Sequence, residues 1–252
     1  MTTQPPLQLL FDQPMAVVKA NMQLLVAADY GLAMDFNRDP SGDRKTLQHG
    51  SLGYEIGWSE ILPDFCGYRT VFFEPQFTNM QTILSLSLGP HLEGGARVAP
   101  IAKALLALGA ELAITLNADA VVWNPGKLVS EPAFFVESVQ SYANGGAFPV
   151  LVAVDFEYSN DEHCLHTTGL SWFSGQEITV SGGGLRGQDL TRRGVRLIHD
   201  IALNGPIVVR QQVPDLDSKF RIDLVPSNDA DNVLRCLICA RTDATDGALS
   251  LH

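Results

Sequence analysis

The sequence predicts an α+β fold with a mixed β-sheet and helices packed mainly on one face. Three observations carry that prediction. Helical and strand-like periods alternate at first, the late strands follow one another through short turns, and 46% of the 252 residues are apolar, ample for a real core. No fixed-period repeat and no linker rich in Pro, Gly or Ser interrupts the chain, so residues 1–252 read as a single domain.

The first helix is expected to open at Asp12, whose carboxylate is suited to capping backbone N–H groups, with Pro14 in the first turn. Met15, Val18, Met22 and Leu25 then recur at steps of three and four and share one face. Residues 39–43 (Asp-Pro-Ser-Gly-Asp) form a loop, because these residues favour turns over ladders. Gly53 to Ile56 and Thr70 to Phe73 read as strands around a turn near Pro63 and Asp64. The alternating run from Ile83 to Leu88 fits a strand with one face buried.

Ile101, Leu105, Leu108, Leu112 and Leu116 keep helical steps, which predicts one long helix from about Ala96 to Asn117. Gly109 weakens it by about 1 kcal/mol without ending it. Ala120 to Trp123 is a short strand. Ser130 is the expected cap of a helix with Pro132 in its first turn and Phe135, Val139, Tyr142 and Ala143 facing inward. Phe148 to Val154 is continuously apolar, the pattern of a strand buried on both sides. The last helix places Leu190, Gly194, Leu197, Ile198 and Ile201 on one stripe, with Arg192, Arg193, Arg196 and His199 largely away from it. Gly205 and Pro206 end it, and Phe220 to Val225 and Val233 to Ala240 are closing strands.

Several of these pieces occur in a familiar order: the Ala120 to Trp123 strand, the helix start from Glu131 to Phe135 and the run from Val150 to Phe156. Thr168-Gly169-Leu170, Glu177-Ile178 and Asn204-Gly205-Pro206 continue it. As an ordered set they resemble the bacterial family catalogued as domain of unknown function 4261. The resemblance covers about residues 83–212, and the N-terminal third is divergent. It implies a soluble bacterial protein and assigns no catalytic residue.

Charge narrows the partners. Seventeen basic residues against 28 acidic ones give a net charge of −11, which repels nucleic-acid phosphates and anionic lipid surfaces. The longest apolar-rich stretch, Ala99 to Val122, is interrupted by Lys103, Glu111, Asn117 and Asp119 and does not read as a membrane span. Met1 to Pro6 lacks the pattern of a secretion signal, and four cysteines are too few for a disulfide framework in a chain this long. The expectation is a reduced, cytoplasmic setting.

Candidate chemistry is sparse. Cys236 and Cys239 have the spacing of half a zinc site, but positions three apart on a strand point to opposite faces, so buried structural cysteines are the plainer reading. Asp161, Glu162, His163 and His166, with Asp155 or Glu157 in support, offer imidazole and carboxylate donors suited to zinc or iron. Turn residues between two strands account for the same pattern. The segment from Ser181 to Gly187, including Arg186, precedes a helix and is suited to holding an anion, yet lacks the ending of a phosphate loop. No serine sits in a Gly-x-Ser-x-Gly turn, and His91 falls in a loop. Trp58, Trp123 and Trp172 read as packing residues.

The leading functional expectation is a non-catalytic binding or interaction module without cofactor, taking a protein or an anionic small molecule, with homo-oligomerisation possible. Its expected contact surface is the stripe of Arg192, Arg193 and Arg196, whose guanidinium groups are bidentate donors for carboxylates. The alternatives are a metal-assisted hydrolase with its site near His163, His166 and Asp155, and an immunity-type protein that neutralises a toxin.

Overall fold

Backbone pairing sorts the strands into two mixed sheets, one from each half of the chain. The computed structural model describes residues 4–28, 31–35, 44–159, 163–182, 184–185, 187–227 and 232–240. The first sheet contains β1 (Leu7–Phe11), β2 (Leu32–Asp35), β3 (Arg44–His49), β4 (Leu52–Ser59), β5 (Arg69–Val71), β6 (Thr82–Leu88), β7 (Ala120–Trp123) and β8 (Leu128–Ser130). Their spatial order is β2-β3-β4-β6-β1-β7-β8-β5, with β5 parallel to β8. The second contains β9 (Asp155–Ser159), β10 (Cys164–Thr168), β11 (Glu177–Gly182), β12 (Gln211–Pro214), β13 (Phe220–Pro226) and β14 (Val233–Ala240). Here the order is β12-β13-β14-β11-β10-β9, with β11 parallel to β14. The helices are α1 (Met15–Ala27), α2 (Ala99–Thr115), α3 (Pro132–Ala143), α4 (Val150–Ala153), α5 (Leu170–Ser174) and α6 (Gln188–Asn204). The α+β class with mixed sheets is as predicted, though the strands divide between two sheets.

Strand β1 lies between β6 and β7, and all five of its residues are buried. Leu7, Leu9 and Phe11 point to one face and join a core that continues through α2, α3 and α6 into the second sheet. A Cβ at Gly109 of α2 would lie 2.7 Å from Leu7 Cδ1, so the glycine lets this helix approach the strand closely. On the other face, Leu10, Ile83, Ala120, Val122 and Val129 form a smaller core under Leu62, Phe65, Tyr68, Phe73, Phe77 and Met80. That cover extends over only part of the sheet. Along β1, β6 and β4 the remaining positions are polar: Gln8 pairs with Ser85, Ser85 with Gly57, and Ser87 with Glu55.

Periodicity located most helices. Val18, Met22 and Leu25 are buried on α1, and Leu190, Gly194, Leu197, Ile198 and Ile201 on α6. The long helix is α2, preceded by a single 3-10 turn at Gly95–Arg97.

Four expectations fail. Asp12 does not cap α1, which starts after Pro14. The backbone N–H of Asp12 instead donates to the Asp119 carboxylate at 2.8 Å. Ser130 is the last residue of β8, and Glu131 occupies the position before α3. Ala143 is exposed, while Val136 is buried in the α3 face instead. The predicted strand from Phe148 to Val154 is one turn of helix, α4. This buried segment lies outside both sheets, so its backbone must bond to itself. Val152 N–H donates to Pro149 and Val154 N–H to Val150. The 39–43 loop lies outside the described residues.

Candidate functional site

The polar half of the first sheet forms the floor of a cleft of about 940 Å³. Gln8 of β1, Ser85 and Ser87 of β6, and Glu55 of β4 share that floor by register. Arg97 from the 3-10 turn, Ser171 and Trp172 from α5, and the segments 4–6 and 124–125 complete the walls. Asn124 fixes the latter two together: its backbone N–H donates to Pro6 O at 2.9 Å and its side-chain amide to Pro5 O at 2.5 Å. Tyr68 adds a hydrogen bond to Asn124 Oδ1 at 2.8 Å. Trp172 stands edge-on to buried Trp123, with ring centres 4.9 Å apart.

Gln8 is 8% exposed, and its Nε2 donates weakly to Ser85 Oγ at 3.4 Å. Among the described residues, nothing bonds Gln8 Oε1. A buried amide oxygen without a donor costs about 1–3 kcal/mol, and a ligand hydroxyl or N–H would recover it. In the sequence these floor residues look like the solvent side of alternating strands, because one strand does not reveal which others lie beside it.

Residues 167–177 hold the α5 wall in place. Glu177 accepts from the amides of Gly169, Leu170 and Ser171 at 2.8, 3.2 and 3.0 Å, and from the Thr167 hydroxyl at 2.7 Å. Gly169 has φ of 98°, and a Cβ there would lie 2.6 Å from Gly126 Cα. Gln176 bonds both backbone groups of Ile207, beyond the end of α6.

The arginine stripe is not one surface. Arg193 is 6% exposed and grips Asp215, with Nη2 2.6 Å and Nε 2.9 Å from the carboxylate. Burial alone would raise the Asp215 carboxyl; Arg193 and the amides of Leu216 and Asp217 together hold it below its ordinary value. Arg196 donates to Pro214 O at 3.3 Å, and Arg192 is exposed. His199 Nδ1 accepts from the Phe148 amide at 3.1 Å, so it too faces inward. The helical stripe was correctly periodic, but long arginine side chains reach back over a helix flank to a neighbour that the sequence does not identify.

The metal candidates are dispersed. Asp155 pairs with Arg69 of β5, linking the edges of the two sheets, and also accepts from the Phe156 amide. His163 is exposed at a turn, 3.5 Å from the Tyr158 hydroxyl. Asp161 and Glu162 lie outside the described residues, as does Arg186. Among the described residues no three His, Cys, Asp or Glu side chains are grouped as a metal ion requires. Cys236 and Cys239 do point to opposite faces of β14. Cys236 is fully buried, which pushes its thiol up to about 12, and Cys239 is partly exposed.

His166 itself has a different neighbour. Its Nε2 lies 2.9 Å from Cys164 Sγ and its Nδ1 lies 3.1 Å from Thr179 Oγ1. Sequence reading did not single out Cys164, although the i, i+2 spacing of Cys164 and His166 on a strand places them on one face.

No protein-family profile, curated protein or solved structure matches the chain. Among the described residues no helix is long and apolar enough to cross a membrane.

Proposed function

We propose that this chain is a binding module that takes a small polar ligand in the cleft on the first sheet. The observation that carries the reading is Gln8 Oε1, buried in the cleft floor without a donor among the described residues. A ligand bearing hydroxyl or N–H groups satisfies it, with the serine hydroxyls and Glu55 as further polar contacts and Trp172 as an apolar wall. The cleft replaces the arginine stripe as the expected binding surface. A cytoplasmic setting belongs to the same reading.

Kinship with the family catalogued as domain of unknown function 4261 is also part of it. What supports it is that two of the quoted pieces are physically joined, Gly169 and Leu170 to Glu177, and that Ile207, just past the Asn204-Gly205-Pro206 piece, bonds Gln176, just before Glu177.

The test is a thermal-shift and calorimetric screen of the purified chain against sugars, polyols and amino acids, repeated with Gln8→Leu. A saturable ligand that raises the melting temperature of the wild type and not of folded Gln8→Leu supports the cleft. Saturable binding that Gln8→Leu leaves unchanged overturns it.

A further inference from the structure

The second sheet carries a different kind of chemistry, independent of the cleft. We infer that Cys164 and His166 form a nucleophilic thiol–imidazole pair, oriented by Thr179, which reacts with a small carboxylate-bearing electrophile entering beside Arg235. The geometry is that of an activated nucleophile: a base within hydrogen-bond reach of the thiol, and a third group fixing the base. The Sγ to Nε2 distance is 2.9 Å and the Nδ1 to Thr179 Oγ1 distance is 3.1 Å. One tautomer serves both contacts. With Nδ1–H donated to Thr179, Nε2 holds a lone pair for the thiol proton.

The register explains why these groups meet. Cys164 lies opposite Ser181, His166 opposite Thr179, and Thr179 opposite Arg235 on the parallel side. All therefore point to the sheet face away from Leu165, Ile178 and Val180, which belong to the core. A groove of about 400 Å³ runs over that face, lined by His166, Thr179, Ser181, Ser227 and Arg235 among others. Cys164 is 4% exposed and does not itself line the groove, so a reagent must pass His166 to reach the sulfur. By register the charged groups on this face are Asp155 and Glu157 of β9, Glu157 directly across from His166, Arg235 of β14, and Arg221 and Asp223 of β13. Glu177, which begins β11, is committed to the α5 amides. Arg235 gives the groove its affinity for a carboxylate.

In the reaction the thiol proton passes to His166 Nε2, and the sulfur electron pair forms a bond to the electrophilic carbon. The leaving group departs with the pair of the bond it breaks. With iodoacetate the S–C bond forms, the C–I bond breaks and iodide leaves.

The experiment measures alkylation of Cys164 by mass spectrometry in a Cys66→Ser, Cys239→Ser background, with iodoacetate and iodoacetamide across pH 5–10. An ordinary thiol titrates near 8.5 and is only a few per cent thiolate at pH 7. The expected midpoint lies below that value. His166→Asn should lower the rate at pH 7 by roughly tenfold, Thr179→Val should shift the midpoint upward, and Thr179→Ser should preserve it. Arg235→Gln should remove a preference for iodoacetate over iodoacetamide while leaving the iodoacetamide rate intact. A midpoint at or above 8.5, or a rate that folded His166→Asn does not change, overturns the pair. Equal wild-type rates with both reagents overturn the carboxylate-bearing substrate.

Discussion

The two sheets treat buried polarity in opposite ways. In the first, the buried Thr82 hydroxyl donates to Gln13 O, but Gln8 Oε1, Tyr54 Oη, Arg69 Nη2, Trp123 Nε1 and Ser130 Oγ are buried without a hydrogen-bond partner among the described residues. In and around the second, Thr167, Ser174, Gln176, Arg193 and Asp223 are equally buried, and each is bonded. Tyr54, Trp123 and Ser130 share the core-facing register of the first sheet, whereas Gln8 faces the cleft. The difference separates two uses of a polar side chain. Closed networks define the framework of the second sheet, and an open group in the first is positioned to meet something from outside. Substitutions should therefore be costly in one and mild in the other.

The largest effect is expected at the α6 latch. Arg193→Ala leaves Asp215 buried without its counter-ion and should cost about 3–5 kcal/mol in urea unfolding. Arg192→Ala, on the exposed side of the same helix, should leave the urea midpoint where it was. Arg193→Met with Asp215→Leu should recover much of the loss, since a buried pair replaced by apolar groups is often near neutral. The latch also sets a pH dependence. The Asp215 carboxyl is depressed in the folded chain because Arg193 and the neighbouring amides outweigh its burial. A depressed carboxyl contributes stability above its unfolded value of about 4 and loses it as pH falls through the folded value. Unfolding midpoints at pH 7 and 5 should thus agree in this contribution, and the loss below about pH 4 should shrink in the double variant.

Next comes Glu177→Ala, which strips the acceptor from three amides and a hydroxyl. About 2–3 kcal/mol of destabilisation is expected by the same urea assay, with hydrogen exchange accelerated at Gly169, Leu170 and Ser171. An unchanged midpoint would show that α5 is held by its aromatic packing alone. Arg69→Ala removes the ion pair with Asp155 and the contact with the Phe156 ring. Partial exposure limits this loss to about 1 kcal/mol. Smallest of all, and opposite in sign, are Gln8→Leu and Ser130→Ala. Each removes a buried group that has an unmet bond, so each should be neutral or stabilising by less than about 1 kcal/mol. Destabilisation by either as large as that of Glu177→Ala would break the contrast between the sheets.

The same contrast explains what could be read from the sequence. A stripe such as Leu190 to Ile201 reports its own burial, because a helix presents one face at a fixed period. Likewise the alternation from Ile83 to Leu88 announced β6, and the strand reading of Val233 to Ala240 put Cys236 and Cys239 on opposite faces. Tertiary partners were invisible. The Phe148 to Val154 run has no period that distinguishes a buried strand from a buried turn. β1 escaped notice although all its residues are buried, because a short run covered on both sides lacks alternation. Arg193 looked exposed because Asp215 lies beyond the helix, on the far side of β12. The cleft draws residues from β1, β4, β6, α5 and two loops, and only the sheet order brings them together.

That order has a consequence in time. β1 leaves the ribosome before every other strand of its sheet, yet its two neighbours are residues 82–88 and 120–123. Until both exist, Leu7 to Phe11 is an apolar ribbon with two open edges, while α1 behind it is already able to form. Such a segment invites chaperones or a second nascent copy during synthesis. The first sheet closes from its middle only when its most distant pieces arrive, which makes its assembly slow relative to the hairpins β3–β4 and β9–β10.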